Sequence, residues 1–279
     1  MHLHASTVSS ARHRDKESDV ADLEYTVKDG IGTILLNRPA TKNPFTYAMI
    51  DEWAEVLRSA RTDADVRVVV VTGAGNAFCS GVDLGEFNAD STGPLAVKST
   101  LHDRIHRVAY ALEDLDKPVI AAVNGTAVGA GMDMALMCDI RLLASSARLS
   151  EGYIRVGLVP GDGGCYFLPR LVGLAKALEL LWTGDFVDAE AALQLGIASY
   201  VYPEEDFTLS WQAFAAKLAA QPPVNVQLIK RAAYQSARAD LRTALDLISS
   251  HMAVARSTRD SAEAMAAFRE RRPPVFEGR

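Results

Sequence analysis

The sequence predicts an α/β fold closed by a helical C-terminal region, and three observations carry that reading. Strand-like apolar runs and amphipathic helical stretches alternate from about residue 23 to about residue 203. Two of the runs, "VRVVVVTGAG" and "PVIAAVNG", are apolar on both faces, as strands inside a sheet are. After "IASYVYPEE" only helical patterns remain.

The elements follow in order. "LEYTVKDGIGTILLNRP" reads as two short strands around a turn at Asp29-Gly30, the second stopped by Pro39. In "TYAMIDEWAEVLRSARTD", Met49, Ile50, Trp53, Val56 and Leu57 form a helical stripe. The strand "VRVVVVTGAG" leads into a polar, glycine-containing segment and a helix around 96–114. Pro118 ends that connection and "PVIAAVNG" is the next buried strand. "NGTAVGAGMDMALMCD" then packs small residues into a turn and opens an apolar helix. "IRLLASS" and "ARLSEGY" are strand-like and "GLVPGDGG" is a loop. "GCYFLPRLVGLAKALELLWTG" is helical with a break expected at Pro169. "VDAEAALQLG" has a helix start at Asp188 and a stop at Gly196. Helices are expected at 207–220, 224–237, 241–256 and 260–270, before an irregular tail "RRPPVFEGR". One pattern recurs loosely, a buried strand ending in a glycine-rich turn, at Gly73, Gly125 and Gly157.

Composition narrows the class. Hydrophobic residues at 49% and charged residues at 23% suit a globular domain. A net charge of −6 disfavours nucleic acid or an acidic membrane surface as a partner. No apolar run reaches membrane-spanning length. Residues 1–21 are polar and lack the apolar stretch of a signal peptide, so a disordered extension is expected there. Cys79, Cys138 and Cys165 are an odd number without CxxC spacing, as in a cytoplasmic protein with reduced thiols. The division expected is a core at 22–205 and a helical trimerisation or cap region at 206–279.

Several motifs fail. Phe78 stands where "TGAGNAF" would need the third glycine of a dinucleotide fingerprint, and no Gly-Lys-Ser/Thr exists for a P-loop. Ser80 lacks the glycine that a nucleophile elbow places two residues earlier. His102 and His106 share a helix face, but Asp103 replaces the glutamate of a zinc-protease helix, so no metal is expected.

What survives is a pair of glycine-rich segments, "GNAFCSGVDL" and "NGTAVGAGMDM", each following a buried strand. Glycines let backbone approach backbone or ligand closely. The first N–H groups of a helix have no acceptor within it. Two N–H groups aimed at one point form an oxyanion hole, which needs small residues more than particular side chains. Tight strand–helix packing explains "NGTAVGAG" as well when it is taken alone.

These segments, together with "LNRPATKNPF", "KPVIAAVNGTAVGAGMDMALMCDIRL", "VGLVPGDGGCYFLPRLVG" and "AFRERRPPVFEGR", resemble the crotonase superfamily, the enoyl-CoA hydratase/isomerase family. The resemblance covers about residues 23–279. It implies a crotonase-like β-β-α spiral core, homotrimers or dimers of trimers, and an acyl-CoA thioester substrate. Coenzyme A would enter as part of the substrate, with no tightly bound cofactor. The thioester enolate would sit in an oxyanion hole formed by the amides of Val82 and Ala130, the latter replacing the usual glycine. The segment with Arg38, Lys42 and Pro44 would line CoA, and Arg271 or Arg272 would reach a neighbouring subunit's CoA. Ser80, Gly81, Asp83, Leu84, Val128 and Gly131 match further substrate-binding positions, as do His106 and Gly161. Solvated surface charge explains the basic residues singly, and a pocket-wall or solvent position explains His106.

Hydratases of this family hold a water with two glutamates. Asp133 occupies the first position and Tyr153 the second. The phenol puts simple hydration in doubt, because with an ordinary pKa near 10 it is a poor base at neutral pH. Asp162 in "VPGDGG", on a loop expected to be flexible, and Glu151, placed by strand alternation on the same face as Tyr153, are the candidate substitutes. Carbon–carbon-cleaving diketone hydrolases of the family also resemble the chain in "VPGDG". Three functions stay open: an enoyl-CoA hydratase/isomerase using Asp133, a hydrolase using Asp162 with His106, and a silent acyl-CoA binder. Met132, Met137, Tyr153 and Phe167 fit either an apolar acyl pocket or ordinary core.

Overall fold

The computed structural model describes residues 21–89 and 93–279. The extension expected at 1–21 lies outside the described residues except for its last one. The chain opens with a hairpin, β1 (Leu23–Lys28) and β2 (Ile31–Leu36), and helix α1 (Tyr47–Thr62), capped by the Thr46 side chain. Three turns of one pattern follow. β3 (Val68–Gly73) runs into β4 (Ala77–Cys79) and helices α2 (Leu84–Ala89), α3 (Pro94–Thr100) and α4 (Arg107–Glu113). β5 (Val119–Val123) runs into β6 (Thr126–Val128) and α5 (Ala130–Leu136). β7 (Ile140–Ala144) runs into β8 (Arg148–Ser150), a 3-10 turn at Gly152–Val156, and helices α6 (Gly164–Val172) and α7 (Leu174–Thr183). A last partial turn comprises β9 (Val187–Asp188), α8 (Ala189–Gln194) and β10 (Tyr200–Tyr202). Four helices finish the chain, α9 (Phe207–Ala219), α10 (Pro223–Ser236), α11 (Leu241–Arg256) and α12 (Arg259–Glu270).

The first strand of each turn enters a six-stranded sheet ordered β1-β2-β3-β5-β7-β10, and the second a four-stranded sheet ordered β4-β6-β8-β9. The larger sheet is parallel except for the opening hairpin. This is the β-β-α spiral. Its inner strands are buried on both faces, which is why their sequences carry no polar alternation. Val69, Val71, Ala121 and Val123 point into the main core with Trp53 and Leu57 of α1. Val68, Val70, Ile120, Ala122 and Leu142 face the other way, onto Phe207, Trp211, Ala215 and Ala219 of α9. The first C-terminal helix thus closes the rear of the large sheet.

Four local expectations are corrected. The helix expected around 96–114 is interrupted by a π-helical turn at Leu101–Ile105. Pro169 lies inside α6, where it forfeits one amide bond, and the break falls at Gly173, whose φ of 79° turns the chain. The strand in "ARLSEGY" ends at Ser150, so Tyr153 stands on the 3-10 turn and strand alternation does not relate it to Glu151. Gly157 closes that turn rather than a strand. Among the described residues no helix is long and apolar enough to cross a membrane. Cys79 and Cys138 are buried and Cys165 is exposed, all as free thiols.

Candidate active site

The site forms where the two glycine-rich segments cross. Gly131, in the first turn of α5, abuts β4 so closely that a Cβ there would stand 2.1 Å from the Cys79 carbonyl oxygen. Gly129 precedes the helix with φ 54° and ψ −123°, a conformation open to glycine. A Cβ on Gly81 would lie 3.1 Å from the Val128 carbonyl oxygen and 3.6 Å from the Ala130 nitrogen. The amides of Val82 and Ala130 therefore sit on adjoining segments. Among the described residues neither donates a hydrogen bond to a protein acceptor.

The segment before α1 completes this wall. Phe45 pairs with Val82 in a parallel bridge, its N–H donating to the Gly81 carbonyl at 2.9 Å and its own carbonyl accepting from the Asp83 N–H at 2.9 Å. The Ser80 N–H donates to the Lys42 carbonyl at 2.9 Å. Lys42, Pro44 and Ser80 through Asp83 are thus neighbours. Arg38 has a partner already. Its Nη1 donates to Asp83 Oδ2 and to the Pro44 carbonyl, both at 2.8 Å, and this bond holds the Asp83 carboxyl below its usual range. Arg272 lies after α12, paired with Glu263 and Glu270, and Arg271 ends that helix in a left-handed conformation. Among the described residues both arginines make their contacts at the C-terminal end of the chain and not with Val82 or Ala130.

Asn43 was legible only as part of the CoA-lining segment, yet it is fully buried and does structural work there. Its side-chain N–H groups donate to the Ala74 and Ala77 carbonyls at 2.8 Å each, and its oxygen accepts from the Arg38 N–H at 2.9 Å. Asn124 ties the same loop from the other side. It accepts from the Gly73 N–H at 3.1 Å and donates to the Gly75 carbonyl at 2.9 Å. These two amides fix the turn that presents Val82.

Beside the Ala130 turn lies a buried acid cluster. Asp133 is fully buried and Glu151 and Asp162 nearly so. Asp162, expected on a flexible loop, is instead packed inside. The Tyr153 hydroxyl stands 2.6 Å from Asp133 Oδ2 and 2.9 Å from Asp162 Oδ2. Its ring lies against the Gly129–Ala130 turn, where a Cβ on Gly129 would be 3.7 Å away. Asp133 does not cap its helix. Its own N–H donates to the Gly129 carbonyl, and its carboxylate turns to Tyr153. Asp133 Oδ1 and Glu151 Oε2 both crowd Gly164, at 2.6 and 2.7 Å from where a Cβ would sit. Asp133 and Glu151 also meet side chain to side chain, while among the described residues no protein hydrogen bond reaches Asp162 Oδ1.

Burial governs the ionisation here. Loss of hydration lifts the Asp133 carboxyl to about 7, opposed by the Tyr153 bond and reinforced by the nearby Asp162 charge. Burial and the closeness of Asp133 lift Glu151 to about 10, so it is neutral at physiological pH. Burial also raises Asp162, while Tyr153 and His106 pull it down. Tyr153 rises well above its ordinary value, chiefly by burial, and remains a phenol. His106 does not bond Asp162. Its Nε2 lies 2.8 Å from the Gly161 carbonyl, an acceptor only, so this nitrogen carries its proton. Met132 and Met137 are core residues, and Phe167 packs at the core edge. Among the described residues no group of side chains could hold a metal ion.

Known proteins share this arrangement of chain. The family model for enoyl-CoA hydratase/isomerase matches residues 26–279. The chain is 37% identical to a 1,2-epoxyphenylacetyl-CoA isomerase of Escherichia coli, over 91% of this chain and 97% of that protein. It is 34% identical to a 2,3-dehydroadipyl-CoA hydratase of the same organism, over 88% and 94%. The crystal structure of an enoyl-CoA hydratase from Bacillus anthracis superposes with a TM-score of 0.87 at 33% identity, covering 93% of this chain and all of that one. Matches that run nearly end to end in both sequence and structure carry the conclusion that this chain belongs to the enoyl-CoA hydratase/isomerase family, within the crotonase superfamily.

Proposed function

We propose that the protein acts on an acyl-CoA thioester by forming an enolate, in the manner of an enoyl-CoA isomerase. The observation that carries this reading is the pair of unpartnered amides, Val82 and Ala130, on adjoining segments one helical turn from the buried Asp133. The thioester oxygen accepts from both N–H groups. Asp133 takes a proton from the carbon beside the thioester or from its vinylogue, and the negative charge moves onto the oxygen. Fixed amides at that point contribute on the order of 3 kcal/mol each in the transition state. A base whose carboxyl sits at about 7 is matched to neutral pH.

Hydration needs a second carboxylate to hold the water. At that position stands the Tyr153 phenol, its hydroxyl already engaged by two aspartates. Moving one proton away and back needs no such water, so isomerisation suits these groups better. The hydrolase reading requires Asp162 and His106 to act together on a water. It is disfavoured because His106 donates to a backbone carbonyl and Asp162 accepts from Tyr153. We further propose assembly as a homotrimer or dimer of trimers. The exposed apolar residues Ile229, Leu241, Met252 and Phe268 of the C-terminal helices offer surface for it. Lys42 and Pro44, and Arg272 of a neighbouring copy, would then meet CoA.

A panel of saturated, 2-enoyl and 3-enoyl thioesters of CoA, followed by mass spectrometry, tests the function. Conversion at unchanged mass supports isomerisation. Gain of one water supports hydration, release of free CoA supports hydrolysis, and binding with no conversion across the panel marks a silent binder.

A further inference from the structure

The acid cluster poses a proton-accounting problem that its geometry solves in one way. A phenol has one hydrogen, yet the Tyr153 oxygen lies within hydrogen-bond distance of two aspartate oxygens, at 2.6 and 2.9 Å. It can donate to only one of them. The other contact is attractive only if that carboxyl is protonated and donates to the phenol oxygen. Two carboxylates facing one hydroxyl in a buried site would leave an uncompensated oxygen–oxygen repulsion. The chain Asp133–Tyr153–Asp162 is therefore self-consistent with one carboxyl proton in it, on either aspartate.

We propose that Tyr153 is a positioning residue that joins Asp133 and Asp162 into a single one-proton pair, in which the substrate loses a proton to one aspartate and gains one from the other, and the pair is reset through the phenol. This inference rests on the acid/base reading of Asp133 and extends it. The step balances without any co-reactant. A C–H bond of the acyl chain breaks, its electron pair enters the enolate, and its proton goes to the Asp133 carboxylate. Asp162, which holds the pair's own proton while Asp133 is the base, delivers it to the carbon two bonds further along, and the enolate collapses to the shifted double bond. The pair ends with its proton on Asp133 instead of Asp162. It is reset when Asp133 donates to the Tyr153 oxygen as Tyr153 releases its own hydrogen to Asp162.

The surroundings fit a sealed pair. Glu151, on the same turn as Tyr153, is held neutral by burial beside Asp133. His106 lies across the Gly161 loop and bonds the Gly161 carbonyl, next in the chain to Asp162. Partial burial, reinforced by the nearby Asp133, raises the Cys165 thiol of α6. No lysine or arginine enters any of these interactions. The ring of Tyr153 meanwhile packs on the turn that carries the Ala130 amide, so the link between the aspartates is also fixed relative to the hole.

The test needs no known substrate for its first arm. Protein labelled with carbon-13 at aspartate carboxyls is titrated by NMR, with Asp133 and Asp162 assigned through Asp133→Asn and Asp162→Asn. In the wild type both carbons should report the same protonation step. In Tyr153→Phe they should report separate steps, because the phenol that couples the two carboxyls is gone. Separate steps in the wild type that Tyr153→Phe leaves in place would overturn the proposal. Biosynthetic replacement of Tyr153 by 3-fluorotyrosine keeps the ring and lowers the phenol pKa, so it covers the case in which Tyr153→Phe fails to fold. It should move both carbons, and two unmoved carbons overturn the link. The second arm uses the panel 3-enoyl-CoA that turns over, in deuterium oxide. The wild type should carry hydrogen taken from one substrate molecule into a following product in a measurable share of turnovers. Tyr153→Phe should take solvent deuterium in nearly all of them, with kcat lower by about tenfold to a hundredfold and KM little changed. If Asp133→Asn is inactive while Tyr153→Phe matches the wild type in both arms, the link fails and the acid/base reading stands. If Asp133→Asn is fully active, that reading itself fails.

Discussion

Replacing Asp133 by asparagine should make the protein more stable and less active at once. Asparagine keeps the size and the acceptor facing Tyr153 while removing the charge. Burial has lifted the Asp133 carboxyl from 3.8 to about 7. A rise of that size corresponds to about 4 kcal/mol by linkage. The sign follows from proton counting. Between the unfolded and folded values the folded state holds the proton more tightly, so stability is full below the unfolded value and declines as pH rises through the folded one. From about pH 5 to about pH 8 the wild type should therefore lose about 2–3 kcal/mol relative to the variant, less whatever Glu151 and Asp162 recover when their neighbour's charge is gone. Urea unfolding at the two pH values and one fixed protein concentration measures the difference. Turnover of the best panel thioester should fall by about a hundredfold or more, with CoA-ester affinity little changed. A stability gap that does not change with pH would refute the burial argument. Full activity would make Asp133 a structural acid only, and full activity in Asp133→Asn with loss in Asp162→Asn would move the chemistry to the loop.

Three further outcomes follow from the same geometry. Glu151→Gln mimics the neutral acid, so the loss of stability that Glu151 causes as pH climbs from its ordinary 4.5 toward about 10 should shrink, as melting temperatures at about pH 5 and about pH 9 will show; an unaltered pH dependence rules this out. Asn43→Ala strips the donors from two buried carbonyls and should destabilise by about 2–4 kcal/mol, with weaker thioester binding because the turn presenting Val82 loosens; a change under about 1 kcal/mol would show that the turn holds itself. Ala130→Val places bulk beside the helix-opening amide and should slow turnover about a hundredfold with ligand-free melting nearly unchanged; equal loss of melting and rate would instead indicate misfolding.

The spiral was legible because its determinants are local. Doubly apolar strands, the glycines at the ends of β3 and β5, and the capping residues Thr46 and Asp188 act within a few residues of themselves. The close crossing of the two glycine-rich segments was legible for a related reason, since Gly129 and Gly131 are required by backbone geometry whatever the ligand. The acid cluster was legible only as candidates. Asp133, Tyr153 and Asp162 come from three separate elements, and their meeting depends on where the 3-10 turn at Gly152–Val156 and the loop before α6 fold back. The sequence pattern read the first as strand and the second as flexible, because Gly152 and the Gly161–Gly164 run suppress any periodic signal. Asn43 escaped as an anchor because a buried amide bonding to carbonyls more than 30 residues away leaves no local mark. Arg38 illustrates the converse. Its charge suggested a phosphate, yet its partner is Asp83, 45 residues on.

The central claim is that a thioester oxygen is held by the amides of Val82 and Ala130, with Asp133 at the adjacent carbon. A crystal structure with acetoacetyl-CoA, which keeps the thioester oxygen, tests it most directly. The account predicts the ligand oxygen within about 2.7–3.1 Å of both nitrogens, and an Asp133 carboxylate oxygen at hydrogen-bond distance from the reacting carbon's substituent. An acyl oxygen bound elsewhere, or both amides still without it in a fully occupied complex, would contradict it.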